Sequence, residues 1–296
     1  MTDYLNPLRC PVCGEPLGRG AGCLRCSRGH SYDLSRSGYV NLLPPGKGKN
    51  ARTGDERDMV RARADFLHRG HYDPMDDFLA GRLAPYLTDG DCSFADMGAG
   101  EGHHTCRLAA LLGERAEGTV SAYGFDASKT AAEAGCRLAK SLGLLPKDGI
   151  AGEFPGSVRA AVLPGNLFHL PLGEGTMRLA LSLFAPVAWE EARRILMPGG
   201  VLAVVSSGRD HLIEMRRLLY DEVRQDDYRP QAPEGFTEAG RDETAFSVTL
   251  ESREEIESLF MMTPFYYRSP AGGRERLLSR DGLTVTVRAA VSLFEV

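Results

Sequence analysis

Positions 92–102 read Cys-Ser-Phe-Ala-Asp-Met-Gly-Ala-Gly-Glu-Gly, an apolar strand candidate that runs into three glycines spaced G-x-G-x-G. A helical pattern over residues 103–112 follows directly. Strand, glycine turn and helix in that order let the backbone approach a ligand closely, while the helix N-terminus offers free amides. The third glycine comes one place earlier than in the dinucleotide fingerprint G-x-G-x-x-G. With Asp96 two residues before the first glycine, this shorter form points to S-adenosylmethionine, and Asp96 can help hold the ammonium side of its methionyl end. Gly98, Gly100 and Gly102 are the candidate loop residues.

Downstream, the chain has the alternation of a doubly wound α/β sheet. A second apolar strand over residues 120–125 ends at Asp126, where a carboxylate can accept both hydroxyls of a ribose. The other reading of Asp126 is a helix N-cap. Residues 160–163 precede Asn166, where the end of a third strand would meet an adenine ring. Residues 179–184 form another apolar run, 190–196 a helix, Pro198-Gly199-Gly200 a turn and 201–205 a strand. Strands and helices alternating in this way imply a mostly parallel sheet whose ligand lies beyond the carboxyl ends of the strands.

Four of the seven cysteines, Cys10, Cys13, Cys23 and Cys26, crowd near the start, and the odd total argues for thiolate ligands over a disulfide framework. A C-x2-C turn puts two thiolates on one side of a tight knuckle, and a second pair can complete a tetrahedron around zinc. Cys10 and Cys13 belong to either solution; the other two ligands are Cys23 with Cys26, or Cys26 with His30. A closed four-ligand site leaves no open position for chemistry, so the metal is expected to be structural.

At 296 residues the chain suits an enzyme domain with a small accessory unit. We expect a zinc-binding module over residues 1–43, a basic linker and helix over 44–75, and the α/β domain over 76–296. The net charge of -5 is unevenly spread: residues 1–71 hold 12 Lys and Arg against 7 Asp and Glu, and the remainder 23 against 33. The basic end can meet phosphate. No apolar run approaches the roughly 20 residues of a membrane helix, and the opening lacks a signal-peptide layout, so the expected location is cytoplasmic.

Taken together, these residues resemble the bacterial 23S ribosomal RNA guanine-N1 methyltransferases, which modify a hairpin loop in domain II. The likeness spans nearly the whole chain: the Cys/His knuckle, Gly38-Tyr-Val-Asn-Leu-Leu43, Gly70-His-Tyr72, the loop from Asp96 to Gly102, Phe184-Ala-Pro186, Arg209-Asp-His-Leu212 and Met262-Thr-Pro-Phe265. It implies a class I, Rossmann-like methyltransferase sheet. It implies zinc on Cys10, Cys13, Cys26 and His30, with Cys23 a spare, and cofactor contacts at Tyr72, Gly100, Glu101 and His211. Without it, Tyr72 reads as a packed aromatic and His211 as a satisfied surface histidine. The 23S hairpin would be gripped by Arg25, Arg28, Arg36, Lys47, Lys49 and Arg52, and the family allows a homodimer. Two departures stand out: residues 137–160 form a longer connection than usual, and Arg178 stands where an acidic residue commonly begins the fourth strand.

Guanine N1 carries a proton, so the base must be unpaired before attack. His169, His211 and Asp55 are the candidates by chemistry to take that proton. Two other readings stay open: a methyltransferase acting on a small molecule, and a zinc-dependent RNA-binding protein without turnover. The intact loop speaks against the second and the basic N-terminal excess against the first.

Overall fold

The computed structural model describes residues 3–44, 57–87, 90–223 and 228–296. Its centre is a seven-stranded sheet. Strand β4 (Cys92–Met97) is flanked by β5 (Val120–Asp126) and then β6 (Val158–Pro164) on one side, and by β7 (Met177–Leu183) and then β8 (Leu196–Ser207) on the other, all parallel. Residues 120–125 are buried throughout, the pattern of a strand covered on both faces. Helices α3 (His103–Gly113), α4 (Lys129–Ser141) and α5 (Trp189–Ile195) make the crossovers. The Ser128 side chain caps α4 by accepting from the Ala131 amide.

The chain leaves β4 first toward β5 and β6, then returns to β4's other side for β7. That reversal opens a crevice at the carboxyl ends of β4 and β7, the usual ligand position in such sheets. Beyond β8 the order ends with β10 (Leu283–Glu295), antiparallel to both neighbours, and β9 (Thr237–Leu250) at the edge. Helices α6 (Ile213–Leu219), α7 (Arg253–Met261), α8 (Phe265–Arg268) and α9 (Ala271–Leu278) connect these last strands. Before the sheet, α1 (Arg57–Leu67) contacts α7, and α2 (Asp73–Leu83) lies against α3. Arg178 does structural duty, its Nε donating to the Tyr86 carbonyl at 2.8 Å.

The N-terminal module is an antiparallel sheet of β1 (Leu17–Gly20), β2 (Cys23–Cys26) and β3 (Ser31–Asp33). Its core is continuous with that of the large sheet. Tyr4 stacks on Tyr123 of β5 with ring centroids 4.4 Å apart, and the two phenols exchange bonds with backbone carbonyls: Tyr4 Oη with Ala122, Tyr123 Oη with Tyr4. The connection after α4 is where the module docks. Arg19 Nε donates to the Ala151 carbonyl, the Ile150 amide to Gly38, and Phe154 packs on Tyr4. Gly38 and Gly149 both hold positive φ there, 98° and 73°. A Cβ on Gly38 would lie 2.6 Å from the Gly149 Cα, so neither position has room for a side chain.

Candidate cofactor crevice and metal centre

The glycine loop after β4 turns through Gly98 at φ 102°, Gly100 at 54° and Gly102 at 81°, conformations that side chains rarely adopt. The three serve different contacts. A Cβ on Gly98 would meet Ala185 at 2.7 Å, one on Gly100 would meet the Arg63 guanidinium at 3.0 Å, and one on Gly102 would meet Val162 at 2.6 Å. Gly102 therefore lets α3 close onto β6, whereas Gly98 and Gly100 face the crevice. Asp96 is fully buried below the loop, its Oδ2 accepting the Thr105 hydroxyl, and burial raises its carboxyl to about 6. The Asp126 carboxylate accepts the Gly100 amide at 3.0 Å and the Ser128 amide at 2.8 Å.

At the reversal point lies a cavity of about 540 Å³. Of the sequence-derived candidates, Tyr72, Gly98, Gly100, Glu101 and His211 line it; Asp96, Gly102, Asp126 and Asn166 do not. Asn166 is half-buried at the end of β6, its Oδ1 turned to the Phe168 amide, in the segment whose Gly165 amide donates to the Asp126 carbonyl. Tyr72 is 3% exposed, with its ring edge-on to Phe66 and Phe246. His211 sits at the far wall, its Nδ1 2.9 Å from the Arg288 carbonyl and 3.3 Å from the Arg288 amide. Burial pushes that imidazole down to about 4, so it is neutral near pH 7. Phe184 lies 5.6 Å from the His211 ring, 42% exposed, at a left-handed φ of 52°. A strained, exposed aromatic at a cavity mouth is the kind of position that binding sites retain.

Four ligand atoms converge in the N-terminal module. Cys13 Sγ and Cys26 Sγ are 3.7 Å apart, and His30 Nδ1 lies 3.4 Å from Cys26 Sγ and 3.6 Å from Cys10 Sγ. Two thiolates on one tetrahedral zinc sit about 3.8 Å apart, so the set fits that ion. Burial opposes ionisation of Cys10, but the Tyr32 hydroxyl at 3.0 Å and nearby amides outweigh it and bring the thiol down to about 6. Cys23 is buried outside the cluster.

Residues 8–52 match the zinc-ribbon family described as RlmA, N-terminal. A 23S rRNA (guanine(748)-N(1))-methyltransferase of Streptomyces fradiae is 38% identical over 72% of this chain and 68% of that protein. A Micromonospora griseorubida protein, provisionally named a 23S rRNA (guanine-N(1)-)-methyltransferase, is 32% identical over 98% of this chain and 97% of its own length. The chain belongs to the 23S rRNA (guanine-N1)-methyltransferase family. The sheet order and its single reversed strand are those of a class I methyltransferase, and zinc is the ion for which the family's ribbon is named.

The structure brings further residues to this crevice. Arg63 on α1, His104 on α3 and Phe184 line the cavity beside the glycine loop. The motif Phe184-Ala-Pro186 is visible in the sequence, but Arg63 and His104 carry no local signal. Arg25, Arg28 and Arg36 are exposed on the module, Arg28 within 3.6 Å of Glu15. Lys47, Lys49, Arg52 and Asp55 lie outside the described residues. His169 is exposed and lines a second cleft, about 840 Å³, between the knuckle and the segment after β6, together with Arg9 and Arg28. Among the described residues no helix is long and apolar enough to cross a membrane.

Proposed function

We propose that the chain transfers the methyl group of S-adenosylmethionine to N1 of a guanine in a domain II hairpin loop of 23S rRNA. The observation that carries this reading is the cavity at the sheet's reversal point, walled by the glycine loop on one side and by Phe184 and His211 on the other. The Streptomyces fradiae relative is named for guanine 748. When bound, the cofactor supplies an electrophilic methyl group on a sulfonium that already contains its leaving group. The protein's tasks are alignment and the management of one proton.

Gly98 and Gly100 give the methionyl end access to backbone, Glu101 offers a carboxylate to its ammonium, and Tyr72 closes the crevice behind it. Asp126 is assigned to the ribose and Asn166 to the adenine side, with Asp96 and Gly102 holding the loop's shape from beneath. His211 contacts the cofactor, and of the two described histidines considered for the guanine proton it is the one in this cavity; His169 faces the other cleft. Cys10, Cys13, Cys26 and His30 hold zinc. Residues 1–43 form the RNA-recognition module, with Arg25, Arg28, Arg36, Lys47, Lys49 and Arg52 as its phosphate contacts; residues 44–75 are the linker and helix, and 76–296 the transferase. The enzyme is assigned to the cytoplasm, and the family resemblance allows a homodimer. Incubation of the purified protein with labelled cofactor and unmodified 23S rRNA, followed by nucleoside analysis, tests the reading. Label in 1-methylguanosine is expected. Label in another nucleoside, or none in RNA, would overturn it.

A further inference from the structure

The methionyl end of the cofactor is a zwitterion, and the proposed function gives its ammonium a partner but not its carboxylate. The wall of the cavity beside Glu101 carries a histidine of unusual construction. His104, in the first turn of α3, lines the cavity, and its Nδ1 is 2.8 and 3.0 Å from the two carboxylate oxygens of Asp76 on α2. Asp76 is wholly buried. An aspartate with no access to water, set against one nitrogen of a histidine, fixes both the ring's orientation and its charge.

We propose that the Asp76–His104 pair, with Arg63 across the glycine loop, forms the subsite for the methionyl carboxylate of S-adenosylmethionine. This rests on the crevice being the cofactor site. With Nδ1 committed to Asp76, His104 has Nε2–H as its remaining donor. The surrounding charges agree. Burial works against an imidazolium, but the Asp76 carboxylate outweighs it and raises His104 to about 8, so it is cationic at neutral pH. Burial and the His104 charge push neighbouring His103 down to about 4, leaving a single imidazolium in the pair. From α2, Asp73 and Asp76 face this turn. From α3 come His103 and Arg107, whose guanidinium sits 3.1 Å from Asp73 and 3.9 Å from Asp76. From the loop comes Glu101, fully buried, raised by that burial and drawn down by Arg63 and His104. One carboxylate and two cations therefore line the same wall, the complement of an α-amino acid end.

Calorimetry at pH 7 on the zinc-loaded full chain, with S-adenosylmethionine and its decarboxylated analogue, separates a carboxylate subsite from a merely structural pair. The wild type is expected to bind the analogue at least tenfold more weakly than the cofactor. His104→Gln is expected to lose that discrimination, binding the cofactor about as weakly as the analogue while the analogue's affinity stays put. Asp76→Asn keeps an acceptor for Nδ1 and removes the charge. Nitrogen-15 spectra at pH 7 should then show a neutral His104, with the same loss of discrimination. Equal weakening of both compounds in either variant, or unchanged discrimination in both, would overturn the proposal alone. A wild type that binds neither compound would overturn the cofactor reading and this subsite with it.

Discussion

Asp126 and Gly100 meet beside the glycine loop, where the carboxylate Oδ2 accepts the glycine amide at 3.0 Å. The bond ties the loop after β4 to the end of β5. It leaves the N-cap role to Ser128, so the two sequence readings of Asp126 part company. Replacing Asp126 with Ala removes both the tie and the proposed ribose acceptor. Cofactor affinity in calorimetry should fall tenfold or more while the protein still melts cooperatively, and unchanged affinity would remove Asp126 from the site.

Asp96 gives a pH signature. Its folded pKa, about 6, lies above the ordinary 3.8 because the group is buried. The native state therefore binds the proton more tightly, and this contribution to stability is present below pH 3.8 and lost as pH rises through about 6. Asp96→Asn, which can still accept from Thr105, has no such loss. In melts between pH 4 and 7 the variant should gain on the wild type as pH rises; a constant gap would show that Asp96 ionises normally.

For the metal centre, the contrast between neighbouring cysteines is diagnostic. Cys26→Ala and His30→Ala should each release about one zinc per chain, measured by mass spectrometry after gel filtration. Cys23→Ala should keep it, since its sulfur lies outside the cluster. Retention in His30→Ala with loss in Cys23→Ala would make the site four-cysteine.

The glycine pair at the docking seam can be probed by stability. A Cβ on Gly149 would lie 2.4 Å from the Gly38 Cα. Gly149→Val should destabilise by about 2–4 kcal/mol, combining left-handed strain with overpacking. Gly143 has a similar φ of 72° but open space around it, so Gly143→Val should show only the strain, about 1 kcal/mol. Equal losses in denaturant titrations would mean the seam gives way.

RNA recognition by the module should be visible in salt dependence. Charge reversal at Arg25 or Arg36, both exposed, should lower the slope of log affinity against log salt by roughly 0.7–0.9 for each phosphate no longer neutralised. Cofactor affinity should not move. A slope that stays fixed for both variants would place the RNA elsewhere.

The features legible in the sequence are those encoded by short spacing. Gly98, Gly100 and Gly102 announce a loop because a positive φ has few other solutions, and the crowding of Cys10, Cys13, Cys23, Cys26 and His30 announces a metal because a knuckle needs its ligands close in the chain, although spacing alone leaves Cys23 with Cys26 and Cys26 with His30 as rival pairs. Strand β9 gives no such sign: its first half, Thr-Glu-Ala-Gly-Arg-Asp-Glu, is mostly polar with no buried residue, and it pairs with β10, its Thr237 opposite Glu295 and its Leu250 opposite Leu283. Asp76 and His104 are equally silent, being 28 positions apart. Each suits an ordinary first helical turn, and only the packing of α2 on α3 makes them a pair. The long connection over residues 137–160 reads as an insertion in the sequence; in the fold it carries the surface on which Tyr4, Arg19 and Gly38 rest.

Tyr4 and Tyr123, stacked ring on ring with their hydroxyls donating to the Ala122 and Tyr4 carbonyls, make the zinc knuckle and the glycine loop two ends of one solid body. An RNA stem seated on the knuckle would present its loop at a reach set when the protein folds, not by a tether that can lengthen. The enzyme would then choose its guanine as a caliper does, by span, and a stem one base pair longer or shorter would carry a different nucleotide to the methyl group.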